Sequence, residues 1–147
     1  MRDNIDPLNR NTDNDIMKLI NNLSILKNLE DEKKLNFEIK ENGNNLSTGE
    51  KKLICFARTI IKQNKIVILD DPTGGLDNDT KNVIYKNIKK YLKEKTVVII
   101  TNQEDLMKLC DKIVLMDNGK IVEYGNYEDL INDKKSFFYS MYVNVYK

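Results

Sequence analysis

An unbroken apolar run, Ile66-Val67-Ile68-Leu69, stops abruptly at two carboxylates, Asp70-Asp71, and a turn containing Pro72, Gly74 and Gly75 follows. Such a run predicts a strand buried on both faces, as in a parallel sheet. A parallel sheet requires a crossover, and the chain supplies one. Val83, Ile84, Ile88 and Leu92 recur at helical spacing before a second apolar strand over residues 96–101. Residues 105–110 predict a short helix, and residues 112–117 and 120–124 flank Asn118-Gly119, a two-residue hairpin signal. A closing helix is expected near Tyr127, ahead of a tail with aromatic residues from Phe137 to Tyr146. Strand, helix, strand, helix places this stretch in the α/β class with right-handed crossovers.

Residues 1–64 have a different texture, polar and rich in Asn, with helical rather than strand periodicity. Asp13 or Asn14 is expected to cap a helix through Ile16, Leu19, Ile20 and Leu23. Ser47 stands three residues before Glu50, the spacing of a capping box. The helix after it presents Leu53, Phe56, Ala57, Ile60 and Ile61 on one face.

Charge and composition exclude several functions. Lys and Arg total 24 against 23 Asp and Glu, for a net charge of +1, and there is no histidine. That balance disfavours a chain that coats nucleic acid or an anionic membrane. The missing His removes Ser-His and Cys-His catalysis and histidine metal sites. The longest aliphatic runs are four residues, far short of the about 20 that a spanning helix needs. Cys55 and Cys110 lack CxxC spacing and are expected to be reduced, buried thiols. Sequons at Asn22, Asn45 and Asn78 read as chance matches in an Asn-rich chain without a signal peptide.

Three clusters carry chemistry. Asn45-Leu46-Ser47-Thr48-Gly49-Glu50 opens a helix, where free N–H groups and the positive dipole end favour an anion. Helix capping alone also accounts for Ser47 and Glu50. Asp70-Asp71 ends a strand, where open α/β sheets place ligands and where two carboxylates suit a hydrated Mg²⁺ and a water nucleophile. An acidic turn after a strand explains the same pair. Thr101-Asn102-Gln103 ends the next strand, on the same sheet edge, and reads equally as a phosphate contact or an ordinary loop.

Together and in this order, these clusters resemble the second half of an ATP-binding cassette (ABC) domain. Leu46-Ser47-Thr48-Gly49-Glu50 looks like the Leu-Ser-Gly-Gly-Gln signature, residues 66–71 like the Walker B strand, and Gly74-Gly75-Leu76-Asp77 like the D-loop. Asn102 falls where the family places its switch histidine. The opening Asn4-Ile5-Asp6-Pro7-Leu8-Asn9, the approach Glu38-Ile39-Lys40-Glu41-Asn42-Gly43-Asn44-Asn45 and the ending Ser136-Phe137-Phe138-Tyr139-Ser140-Met141 are similar to multidrug-resistance-associated (C-type) exporters. The opening looks like the second cassette of such an exporter, whereas Asp71 and Asn102 suit a degenerate first one.

The resemblance implies a partial P-loop NTPase fold, with a helical subdomain over 1–64 and the last part of the catalytic subdomain over 65–147. No Gly-x-x-x-x-Gly-Lys-Ser/Thr occurs in the sequence, so the Walker A half is expected to be absent and its neighbouring strands to show open edges. The implied cofactors are ATP and Mg²⁺. Asp70 would hold Mg²⁺ and Asp71 would position the attacking water. Asn102 would sense the γ-phosphate, and Leu46, Ser47, Thr48, Gly49, Glu50 and Asp77 would contact nucleotide or communicate across a dimer. The implied partners are a second cassette, head to tail, and transmembrane domains encoded elsewhere, at the cytoplasmic face of a membrane.

The departures predict a slow site. The family has Glu where this chain has Asp71, a shortfall of about 1 Å in reach that costs rate. Asn102 cannot shuttle a proton as His does. The site is therefore expected to bind ATP but turn it over slowly, and the isolated chain, without the phosphate-wrapping loop, to turn over negligibly. Two further readings stand beside this one. A chromosome-maintenance or DNA-repair ATPase shares the Gly49-Glu50-Lys51 ending, against the neutral charge and the hairpin over 112–124; the other is a non-catalytic signature module acting on another cassette.

Overall fold

The computed structural model describes residues 1–146, with side-chain surroundings through Tyr142. The chain forms two compact units, Met1–Ile100 and Thr101–Lys147.

The first unit begins with short α1 (Arg2–Ile5), then α2 (Asp13–Asn22) and α3 (Asp31–Lys34). Thr12 caps α2, its hydroxyl accepting from Asp15 N at 3.2 Å, one residue before the expected Asp13 or Asn14. The shift is local: Thr12 also donates to the Asp15 carboxylate, so one side chain serves two partners. A 3₁₀ turn, Glu41–Gly43, leads to α4 (Thr48–Ile61). The capping box forms as the spacing predicts, with Glu50 N on Ser47 Oγ at 3.2 Å and Ser47 N on Glu50 Oε2 at 2.8 Å.

Strand β1 (Ile66–Asp70) follows, then α5 (Asn78–Tyr91) and β2 (Thr96–Ile100). The two strands are parallel, with Asp70 opposite Ile100, so the crossover read from the helical spacing exists. Strand β1 is not buried on both faces. Val67 and Leu69 are 3% and 6% exposed, while Ile66 and Ile68 are 64% and 67% exposed. A two-stranded sheet covered on one side buries only alternate residues, whatever the apolarity of the others. The core of this unit gathers Ile5, Ile16, Ile20, Leu53, Phe56, Ile84 and Leu92. Arg58 of α4 fastens α1 by donating to the Asn4 carbonyl and, at 2.8 Å, to its side-chain oxygen.

The second unit holds α6 (Glu104–Met107), the antiparallel pair β3 (Ile113–Asp117) and β4 (Lys120–Gly125), then α7 (Tyr127–Asn132) and α8 (Phe137–Tyr146). Asn118 and Gly119 both take positive φ, 48° and 75°, the backbone a twisted two-residue hairpin requires. Met107, Tyr127, Leu130 and Phe138 form the core, with Tyr127 and Phe138 edge to face at 5.9 Å. The Glu123 carboxylate accepts from Phe137 N and Phe138 N at 3.0 and 2.8 Å, neutralising two orphan donors at the start of α8. Both cysteines are free. Cys110 is half-buried, but Cys55 is exposed, contrary to the expectation of a buried thiol. The apolar stripe of α4 skips position 55, so the helix turns it outward.

Candidate functional site

The α4 N-terminus is built by its own sequence. Asn45 ties the approach, accepting from Lys40 N at 3.0 Å and donating to the Glu38 carbonyl at 2.8 Å. Ser47 and Thr48 are exposed, and Leu46, Gly49 and Glu50 are partly so. The Ser47 hydroxyl also donates to Glu50 Oε2 at 2.8 Å, so capping engages the group that would meet a ligand. A fourteen-residue helix begins here, and its dipole favours an anion at this end.

Gly49 faces a second helix start. A Cβ on Gly49 would lie 3.5 Å from Thr80 Cγ2 and 3.6 Å from its Oγ1. Thr80 is fastened to Asp77, the α5 cap, which accepts from Thr80 N at 2.9 Å and from Thr80 Oγ1 at 2.7 Å. Those two bonds, backbone first, hold the Asp77 carboxyl below its ordinary range. Two positive helix ends therefore meet beside the Thr80 side chain.

The carboxylate turn lies on the same helix. Lys52 Nζ donates to the carbonyls of Asp71 and Gly74, at 2.9 and 2.7 Å. Asp71 N donates to Ile100 O at 2.9 Å, and Asp71 takes φ +40°, a left-handed conformation uncommon outside glycine. Lys52, Cys55, Phe56, Asp70, Asp71 and Pro72 line a cleft of about 210 Å³. Among the described residues, neither carboxylate of this pair is hydrogen-bonded or ion-paired. Two unengaged carboxylates suit Mg²⁺, which takes one or two and fills its shell with water and phosphate oxygens. No group of three or more His, Cys, Asp or Glu side chains could cage a metal among the described residues.

The first unit thus brings together the segments around Ser47, Asp71 and Asp77. Asn102 lies in the second unit, two residues after Ile100, the strand partner of Asp70. Its side-chain oxygen accepts from Gln103 Nε2 at 3.2 Å. Sequence reasoning missed Lys52 and Thr80. Each sits in a polar run that reads as a solvated surface, and only the tertiary fold reveals its partner.

The fold has counterparts in known proteins. The ABC transporter family model matches residues 2–74. The chain is 34% identical over 142 residues to ATP-binding cassette sub-family C member 4 of Homo sapiens, covering 96% of this chain and 11% of that protein. It is 35% identical over 144 residues to the metal resistance protein YCF1 of Saccharomyces cerevisiae, covering 96% and 9%. The chain therefore spans about a tenth of the length of these relatives. A bacterial Atm1-family ABC exporter, solved with ATP bound, superposes with a TM-score of 0.85 at 23% identity, over 99% of this chain and 26% of that one. That likeness establishes the fold, and the relatives establish the lineage. The chain belongs to the ATP-binding cassette transporter family and corresponds to the C-terminal part of a nucleotide-binding domain of the multidrug-resistance-associated, C-type exporters.

Proposed function

We propose that this chain supplies the signature and Walker B part of an exporter's nucleotide-binding domain, with residues 1–64 as helical subdomain and 65–147 as part of the catalytic subdomain. The observation that carries this reading is the convergence of the α4 N-terminus, the Asp77 cap and the Asp71 turn through Thr80 and Lys52. A signature acting in trans needs a positive helix end facing outward, close to the loops that report hydrolysis.

In this reading the α4 N–H groups, with Ser47, Thr48 and Gly49, meet the γ-phosphate of ATP held by a second cassette, head to tail, while Leu46 seats the loop. Glu50 keeps the helix end shaped at the cost of a carboxylate near phosphate. Asp70, with water, would hold Mg²⁺, whose charge would screen the phosphates. Asp71 orients the attacking water, and its short reach slows proton removal. Asn102 donates to phosphate without carrying charge. Asp77 links the α5 start to the dimer interface. Hydrolysis drives transmembrane domains, so the chain works at the cytoplasmic face of a membrane. Among the described residues no helix is long and apolar enough to cross one.

Phosphate release tests this. The chain alone is expected to show negligible turnover, because it has no phosphate-wrapping loop. Added to a cassette with an intact Walker A loop but a disabled signature, it is expected to restore turnover, and its Ser47→Ala variant to restore much less. No restoration, or equal restoration by Ser47→Ala, refutes the trans role.

A further inference from the structure

Two adjacent lysines on α4 point to different loops. Lys51 donates to the Asn42 carbonyl at 3.1 Å, in the approach to the helix. Lys52 instead spans the cleft to the turn after β1, where its ammonium meets the carbonyls of Asp71 and Gly74 at 2.9 and 2.7 Å. These are charge-assisted bonds to two acceptors three residues apart, so one cation clamps both ends of the turn.

That turn does not support itself. Its own backbone bonds are long, Gly74 N to Asp71 O at 3.4 Å and Leu76 N to Thr73 O at 3.3 Å. Thr73 is fully buried, and its hydroxyl has no hydrogen-bond partner among the described residues. Asp71 holds a positive φ that opposes an L side chain. Weak local bonds, an unsatisfied hydroxyl and a disfavoured φ would let the turn relax unless something outside it held the conformation.

We propose that Lys52 is a positioning residue, whose ammonium locks the Asp71–Gly74 turn to α4 so that the phosphate-facing helix end and the water-orienting carboxylate move as one body. The mechanical link rests on the two carbonyl bonds. Its catalytic meaning rests on the function proposed above.

NMR on the full chain tests the link without nucleotide. In the parent protein, a scalar coupling is expected across the hydrogen bonds from Lys52 Nζ to the carbonyl carbons of Asp71 and Gly74. In Lys52→Met, amide exchange at Gly74 and Leu76 is expected to accelerate about tenfold, with Phe56 to Ile60 of α4 unchanged. Lys52→Arg keeps charge and donors and is expected to recover most of the protection. Absence of the coupling overturns the proposal, even if a variant fails to fold. So does unchanged exchange in Lys52→Met, or a loosening that spreads equally through α4.

Mn²⁺ alone, added to the same proteins, separates the two readings. Paramagnetic broadening centred on Asp70 and Asp71 together is expected in all three. No broadening in any protein counts against the metal role of the carboxylates, while the exchange data still decide the clamp.

Discussion

Gly74 lies so close against the carboxylate of Asp71 that a Cβ on it would stand 1.8 Å from Asp71 Oδ2 and 2.5 Å from Cγ. No side chain fits there unless Asp71 leaves. The glycine thus sets where the second carboxylate points, while Lys52 holds the carbonyls on either end of the same turn. In Gly74→Ala, the exposed Asp71 side chain is expected to swing away at little cost in stability. Urea unfolding checks the cost, and the side-chain carboxyl carbon resonance of Asp71 checks the position, which should shift while that of Asp70 stays. An unshifted Asp71 carboxyl resonance would refute the steric argument.

The capping box allows structure and ligand chemistry to be separated. Ser47→Ala removes the acceptor for Glu50 N and is expected to cost about 1 kcal/mol. Glu50→Gln keeps an oxygen for Ser47 N and loses only the favourable charge at the helix start, a cost of a few tenths of a kcal/mol. Denaturant midpoints should therefore rank parent, Glu50→Gln, Ser47→Ala. The reverse order of the two variants would show that the box is not what fixes this end.

Features set by local periodicity were legible in the residues. The Ser47–Glu50 box, the α4 stripe and the Asn118-Gly119 hairpin depend on neighbours within one element or one turn, and the parallel crossover follows from the order of strand, helix and strand. What escaped depends on distant partners. Strand β1 is as apolar on its exposed face as on its covered one, so composition cannot tell that Ile66 and Ile68 lie open. The four-residue helices α1 and α3 are too short to carry a period, and α1 is held by Arg58, more than fifty residues away. The candidate residues themselves were visible as motifs, but Lys52 and Thr80, which connect them, were hidden in ordinary polar runs.

Thiol chemistry should separate the two cysteines. Cys55 is exposed and lines the cleft beside Asp70 and Asp71. Cys110 is half-buried, its Sγ donates to the Leu106 carbonyl at 3.3 Å, and burial, with the Asp111 charge, pushes its pKa up. Less thiolate at a given pH means slower alkylation. Iodoacetamide at pH 8 is expected to label Cys55 first, by about tenfold or more in rate, with mass spectrometry of peptides as the check. Faster labelling at Cys110 would contradict this placement.

The second unit carries its own acid-sensitive fastening. Glu104 accepts from Lys108 at 2.5 Å, from the Tyr127 hydroxyl at 2.7 Å and from the Tyr142 hydroxyl at 2.8 Å. These donors, Lys108 foremost, hold its carboxyl down at about 2, from an ordinary 4.5. In turn the Tyr127 hydroxyl is driven upward, by burial first and then by its bond to Glu104. A carboxylate whose folded pKa is depressed favours the folded form fully above the unfolded value. It loses that contribution as pH falls through the folded one. The fastening of α7 and α8 to α6 is therefore expected to be intact above about pH 5 and to weaken between 4.5 and 2. Tyr127 and Tyr142 ring resonances, followed by NMR through that window, should shift together in the parent. In Glu104→Gln, which cannot ionise, the same resonances should already be displaced at pH 7 and stay flat to pH 2. Parallel titration of parent and variant would show that some other carboxylate governs this corner of the fold.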